Sequence, residues 1–240
     1  EVVVSPPTTL ATVSAGSSRV VADTCLPVKV FLGHVLSLIT EVDYIFIPAI
    51  RSVKSKVYNC AKFLGLPDMT SAVIPESPPI LDIEIDVNRN KRDLYEAIYR
   101  LGRYFTWSPF KVRRAALAAW QNHQNYRQLM SSQGLTPPQA LAKIAGTPQI
   151  NTEINTTGPD STQGTIALVG HPYLLYDEYI THRLLHRLAQ ANYRILTPEM
   201  LTPEQLESGI ARLSDRAYWT YEEEVVGAAG HYLQSGVDGI

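Results

Sequence analysis

Two cysteines, Cys25 and Cys60, are the chain's first candidates for metal chemistry. Pro27, two residues after Cys25, suits the first turn of a helix, where its missing N–H costs nothing. Cys60 opens a predicted helix over 59–64, which Gly65 and Pro67 close. A helix start offers free N–H groups and a partial positive charge, both favourable to a thiolate, the metal-binding form of cysteine. The two positions lie 35 residues apart with no C-x-x-C pair. That excludes the local signatures of zinc ribbons and bacterial ferredoxins. Ligands this far apart must converge from separate loops. Residue type alone leaves two readings open, a thiolate ligand pair or two small buried hydrophobes. Two cysteines make no disulfide framework, so both thiols are expected reduced, in the cytoplasm.

Other chemistry-bearing residues are weighed the same way. His34 follows Gly33 in the helix after Cys25 and could donate to a metal group or pack between helices. Lys29, one turn beyond Cys25, could offset negative charge there or lie on the surface. His171 stands in Gly170-His171-Pro172 just after an apolar strand, where parallel sheets present ligand loops. It is expected to line a cleft. Asp43 and Asp68 read as caps, and Asp177 as part of the following helix. Glu222-Glu223-Glu224 reads as a solvated helix face, because consecutive helical residues point in different directions. His182 and His186 have metal-compatible spacing, but no Glu follows His182 and Arg183 and Arg187 disfavour a cation, so they read as helix surface. The aromatic-rich 218–221 reads as core.

These residues need elements to hold them. The chain has 240 residues, 45% hydrophobic and 18% charged, enough for one large or two small folded domains. Strands are predicted at 1–5, 44–47, 81–85, 165–169, 194–196 and from 237. Helices are predicted at 8–15, 28–40, 59–64, 69–74, 91–104, 110–134, 176–191, 203–213 and 218–233, with Thr136 capping one more. Short apolar strands alternating with helices imply an α/β fold with mainly parallel sheets. The expected architecture is two Rossmann-like domains: 1–106, holding both cysteines, and 165–240. A helical segment and Thr/Asn/Pro/Gly-rich linker, 107–164, joins them. Strand-like segments at both ends suggest an excerpt of a longer polypeptide. Formal net charge is −2 with no long basic run, so neither nucleic acid nor a membrane is an expected partner. No apolar run approaches the ~20 residues that span a bilayer. There is no phosphate-cradling G-x-x-x-x-G-K-[ST] loop.

Four ordered blocks narrow the reading: TCLPVKVFLGHV at 24–35, DYIFIP at 43–48, YNCAKFLGLPDM at 58–69 and LVGHPYLLYDEY at 168–179. Together with TPEML at 197–201 and the terminal GVDGI, they resemble the acyl-CoA dehydratase activase-related family, also described as CoA-substrate-specific enzyme activase. That family is similar to the subunits of 2-hydroxyacyl-CoA dehydratases. The resemblance covers nearly the whole chain and is weakest over 107–164. It implies that Cys25 and Cys60 hold an iron–sulfur cluster of the 4Fe–4S type, with a third cysteine beyond Ile240. Ala61 departs from the family's usual Pro after the second cysteine.

The implied function is an iron–sulfur component of a dehydratase-like or reductase-like system. It would take low-potential electrons from an ATP-dependent activase and act on an acyl-CoA-type substrate, with His34 and His171 lining the cleft. Two alternatives belong to other classes: a non-catalytic cluster-relay or docking domain of a larger activase-like protein, and a cluster-free α/β domain binding a small molecule.

Overall fold

The structure, a computed structural model, describes residues 1–147 and 163–240. Most of the sequence-predicted linker lies outside the described residues. The chain divides into two compact units, Glu1–Arg113 and Arg114–Ile240.

The first unit opens with residues 1–9, which form no strand among the described residues, where one was predicted over 1–5. Their valines stay exposed because no neighbouring strand accepts their backbone groups. Helix α1 (Leu10–Ser17) starts on a Thr9–Thr12 capping box. Helix α2 (Leu26–Leu38) begins right after Cys25, with Pro27 in its first turn. The two helices cross at glycines. A Cβ on Gly16 would stand 1.7 Å from the Lys29 carbonyl oxygen, and one on Gly33 would stand 2.0 Å from that of Thr12. No residue larger than glycine permits that backbone approach.

Val28, Leu32 and Val35 of α2 pack against Ile45, Ile47 and Ile74 to make the core. The strands form two short parallel pairs. β1 (Ile45–Phe46) pairs with β3 (Ile80–Leu81), and β2 (Ala49–Ser52) with β4 (Glu84–Asp86). Backbone bonds from Ile45, Ile47 and Ala49 to Pro79, Leu81 and Ile83 run between the pairs in one ladder. Only alternate residues donate across a parallel ladder, so Pro48, lacking an N–H, fits between the donors. Helices α3 (Ala61–Leu64) and α4 (Leu66–Val73) link the two sides, and α5 (Lys91–Gly102) follows β4.

Helix α6 (Pro109–Gln133) precedes α7 (Pro137–Ala145), whose capping box joins Thr136 and Gln139. In the second unit, β5 (Gly164–Ala167) pairs in parallel with β6 (Tyr193–Leu196). The segment at 238–239 lies along β5's other edge: Ala167 N–H donates to the Gly239 carbonyl at 2.9 Å, and Asp238 N–H to that of Thr165 at 2.8 Å. Here the predicted terminal strand reduces to one bridge. Helices α8 (Pro172–Tyr176) and α9 (Leu184–Gln190) follow β5. On one face Leu185 and Ala189 of α9 cover Ile195; on the other, α10 (Pro203–Leu213) and α11 (Thr220–Tyr232) cover Ala167.

Mixed α/β organisation with parallel pairing therefore holds. The strands are two to four residues long and pair in twos, so extended sheets of the Rossmann kind are not seen among the described residues. The predicted helix 176–191 is also broken. Asp177 accepts from the N–H groups of Tyr179 and Ile180, both at 3.0 Å, an Asx turn that competes with the helix ladder. His182 and Arg183 then adopt left-handed φ of 50° and 57° before α9 starts.

Candidate functional site: two thiols at helix starts

Cys25 and Cys60 occupy equivalent places. Each caps a helix N-terminus in extended conformation, with φ and ψ of −62° and 146° at Cys25 and −61° and 151° at Cys60. The Cys25 carbonyl accepts from Val28 and Lys29, and that of Cys60 from Phe63. Neither side chain caps its own helix, which leaves both sulfurs available to other partners. Both thiols are free; Cys25 is half-buried against the α2 core and Cys60 is exposed.

Tertiary structure brings the two loops together. Asn59 is tied to β2 through its N–H to the Arg51 carbonyl at 2.7 Å and its side-chain amide to the Ile50 carbonyl at 3.3 Å. That ties the start of α3 to β2. Lys62, two residues past Cys60, points its Nζ at the Cys25 Sγ, 3.5 Å away. A cation from the Cys60 helix thus donates to the sulfur of Cys25. Sequence reasoning overlooked Lys62 and considered Lys29 instead. Lys29 donates from Nζ to the Ala22 carbonyl at 2.7 Å and so clasps the loop before Cys25.

His34 lies elsewhere on the same helix. Its Nε2 is 2.9 Å from the Thr8 hydroxyl, in the α1–α2 junction. Nine residues of helix put it ~14 Å from Cys25 along the axis. The structure therefore sets Lys62, two residues past Cys60, against Cys25, and sets His34 and Lys29 to other contacts. No three His, Cys, Asp or Glu side chains gather as a metal site among the described residues. Two free thiols at helix starts, one of them beside an ammonium group, are of the chemistry an iron–sulfur ligand set uses, since thiolates are the usual ligands and a cation offsets their charge.

His171 belongs to the second unit. It caps α8 at the carboxyl end of β5, and its ring stacks on Tyr173 at 6.0 Å and meets the edge of Tyr221 at 5.0 Å. Near the end of β6 is a polar group that sequence reasoning missed. The Tyr176 hydroxyl donates to Glu199 Oε2 at 2.5 Å. Burial, then the neighbouring Glu199 carboxylate, raises the Tyr176 pKa. Glu224 is pushed up to about 7 by burial and by Glu199, against a lowering from Arg127. The Glu222–Glu224 run is therefore not a plain solvated face. Glu222 accepts from the N–H groups of Tyr218 and Trp219 and so caps α11, while Glu224 turns inward. The legible signal was Glu199's place just after a strand end. His186 also departs from expectation: its side chain is largely covered, with Nε2 at 3.7 Å from Glu178. His182, outside any helix, does not share a helical face with it.

Short parallel strand pairs among helices, with a free thiol at each of two helix starts, define a mixed α/β protein. Residues 1–201 match the family described as CoA enzyme activase uncharacterised domain (DUF2229), and the chain belongs to that family. The resemblance seen in the four sequence blocks holds at that level. No curated protein and no solved structure matches the chain. No helix among the described residues is long and apolar enough to cross a membrane.

Proposed function

We propose that the chain is an iron–sulfur component of a 2-hydroxyacyl-CoA dehydratase-like or reductase-like system, receiving low-potential electrons from an ATP-dependent activase. Family membership supports the link to CoA-enzyme activation. The observation that supports the iron–sulfur reading is the place of Cys25 and Cys60 at two helix starts, with Lys62 of the Cys60 helix against the Cys25 sulfur.

A 4Fe–4S cluster, when bound, supplies one-electron chemistry. Cys25 and Cys60 would hold it, and Lys62 would offset its negative charge. The α1–α2 and Asn59–β2 contacts would fix the spacing of the two thiols. An acyl-CoA-type substrate is the class this reading implies. A second reading, a cluster-relay or docking domain without catalysis of its own, is favoured by one fact: the sequence has two cysteines, so the remaining ligands would come from a partner or from further polypeptide.

The test is iron and acid-labile sulfide content, with the visible spectrum, on protein purified and reconstituted without oxygen, beside Cys25→Ser and Cys60→Ser. The expected outcome is roughly equal iron and sulfide in the wild type and loss in both variants. Absence of iron after reconstitution, with both variants folded, sinks the cluster reading and leaves a cluster-free domain.

A further inference from the structure

The second unit holds a polar cluster of its own. Parallel sheets present ligand loops at the carboxyl ends of their strands. Thr197 and Glu199 stand just past that end of β6, and Tyr176 closes α8, which follows β5. The turn Pro198–Met200 packs against α11, and the Tyr232 hydroxyl of α11 donates to the Thr197 carbonyl at 2.7 Å. These contacts hold Glu224 of α11 within reach of the Glu199 charge. Both glutamates are half-buried.

Like charge gathers there. Glu199 accepts from the Tyr176 hydroxyl, a neutral donor. Glu224 feels Glu199 and Glu223 as like charges and Arg127 of α6 as an opposing one. Arg127 forms no ion pair among the described residues. Two carboxylates this poorly offset destabilise each other away from bulk water.

Buried hydroxyls accompany the carboxyl pair. Thr197 is fully buried, and its hydroxyl faces that of Tyr176 but stands beyond hydrogen-bond reach of any partner among the described residues. Thr220, one turn before Glu224 on the same face of α11, also has a buried hydroxyl with no partner among them. Buried hydroxyls are normally satisfied, so an oxygen with no bond of its own is a ready ligand.

We propose that Glu199 and Glu224, with the Thr197 hydroxyl, form a binding site for a hard divalent cation of the magnesium class. Such ions take oxygen ligands, and Mg²⁺ is commonly held by one or two carboxylates with water completing its shell. The cation sits where the two like charges meet and removes their repulsion. It also fastens α11 to the turn after β6, since one ligand comes from each. Thiolates are soft ligands that do not select Mg²⁺, so this site is chemically separate from Cys25 and Cys60.

The test is isothermal titration calorimetry of the full chain with MgCl₂ up to about 10 mM, together with its thermal midpoint with and without the salt. Binding with a Kd of about 1 mM or tighter is expected, with a raised midpoint that NaCl of equal ionic strength does not reproduce. Glu199→Gln and Glu224→Gln keep shape and remove charge. Each, with unchanged circular dichroism, should bind at least roughly tenfold more weakly and lose the Mg²⁺-dependent midpoint shift. Asp93→Asn/Glu96→Gln removes carboxylates from the first unit and should bind as wild type does. Should one glutamine variant fail to fold, the other decides. A wild type that binds no Mg²⁺ overturns the proposal, and so does a folded glutamine variant that binds as wild type does. Equal weakening in Asp93→Asn/Glu96→Gln would show attraction to surface charge in general and overturn it as well.

Discussion

Replacing Gly33 with alanine tests whether α2, the helix that Cys25 caps, is held to α1 by direct backbone contact. The added Cβ would stand 2.0 Å from the Thr12 carbonyl oxygen and 2.8 Å from its carbon. Ordinary contact begins near 3.4 Å, so α1 must withdraw from α2 by about 1.4 Å. The obstacle is backbone, which cannot rotate away as a flexible side chain does. Overpacking of this kind costs about 1–3 kcal/mol, and a backbone clash belongs at the upper end. Alanine recovers about 1 kcal/mol through its better helix propensity. The net expectation is destabilisation of about 2 kcal/mol, read as a lower urea midpoint by circular dichroism. Gly16→Ala should cost a similar amount, because its Cβ would meet the Lys29 carbonyl oxygen at 1.7 Å and the Gly33 nitrogen at 2.7 Å. The two share one crossing, so the double variant should be more stable than the sum of the singles implies. Gly65→Ala, whose nearest neighbour would be at 3.5 Å, should be close to neutral. A Gly33→Ala protein as stable as wild type would refute close backbone packing at this crossing.

Two further outcomes follow from buried polar groups. Glu224 titrates at about 7 in the folded chain against an ordinary 4.5, so between these values the folded state binds more protons than the unfolded one. Stability from this residue is full below about 4.5 and is lost as pH rises through about 7. Glu224→Gln should remove about 3 kcal/mol of pH dependence across that window, measured as the difference between wild-type and variant stability profiles; identical profiles would show that Glu224 is ordinary. Ser52, fully buried, donates to Asp86 Oδ1 at 2.8 Å and accepts from Val87 N–H at 3.1 Å and Asn88 Nδ2 at 2.9 Å. Ser52→Ala strands these partners and should cost about 1–3 kcal/mol by urea denaturation; a loss below ~0.5 kcal/mol would mean that water replaces the hydroxyl.

Much of the local structure was written in the sequence. Pro27 marked a helix start and Thr136 a cap, because these residues act on their own backbone within a turn or two. The cysteines' places at helix starts were legible for the same reason. Asp177 also acts locally, but its Asx turn competes with a helical pattern that hydrophobic spacing alone favoured, so the break before α9 was missed.

Long-range choices belonged to the tertiary structure. Lys62 reaches Cys25 across 37 positions, while Lys29, closer in sequence, turns to the Ala22 carbonyl. Which lysine meets the sulfur depends on how the start of α3 is tied to β2, and no spacing rule encodes that. Glu224 looked like one of three solvated carboxylates; its shift comes from burial beside Glu199, a residue on another element. The sequence by itself determined element types, caps and the family to which the chain belongs, because those depend on neighbours along the chain. Only the tertiary structure decided which side chains share a site, because burial and Coulomb energies depend on distance in space.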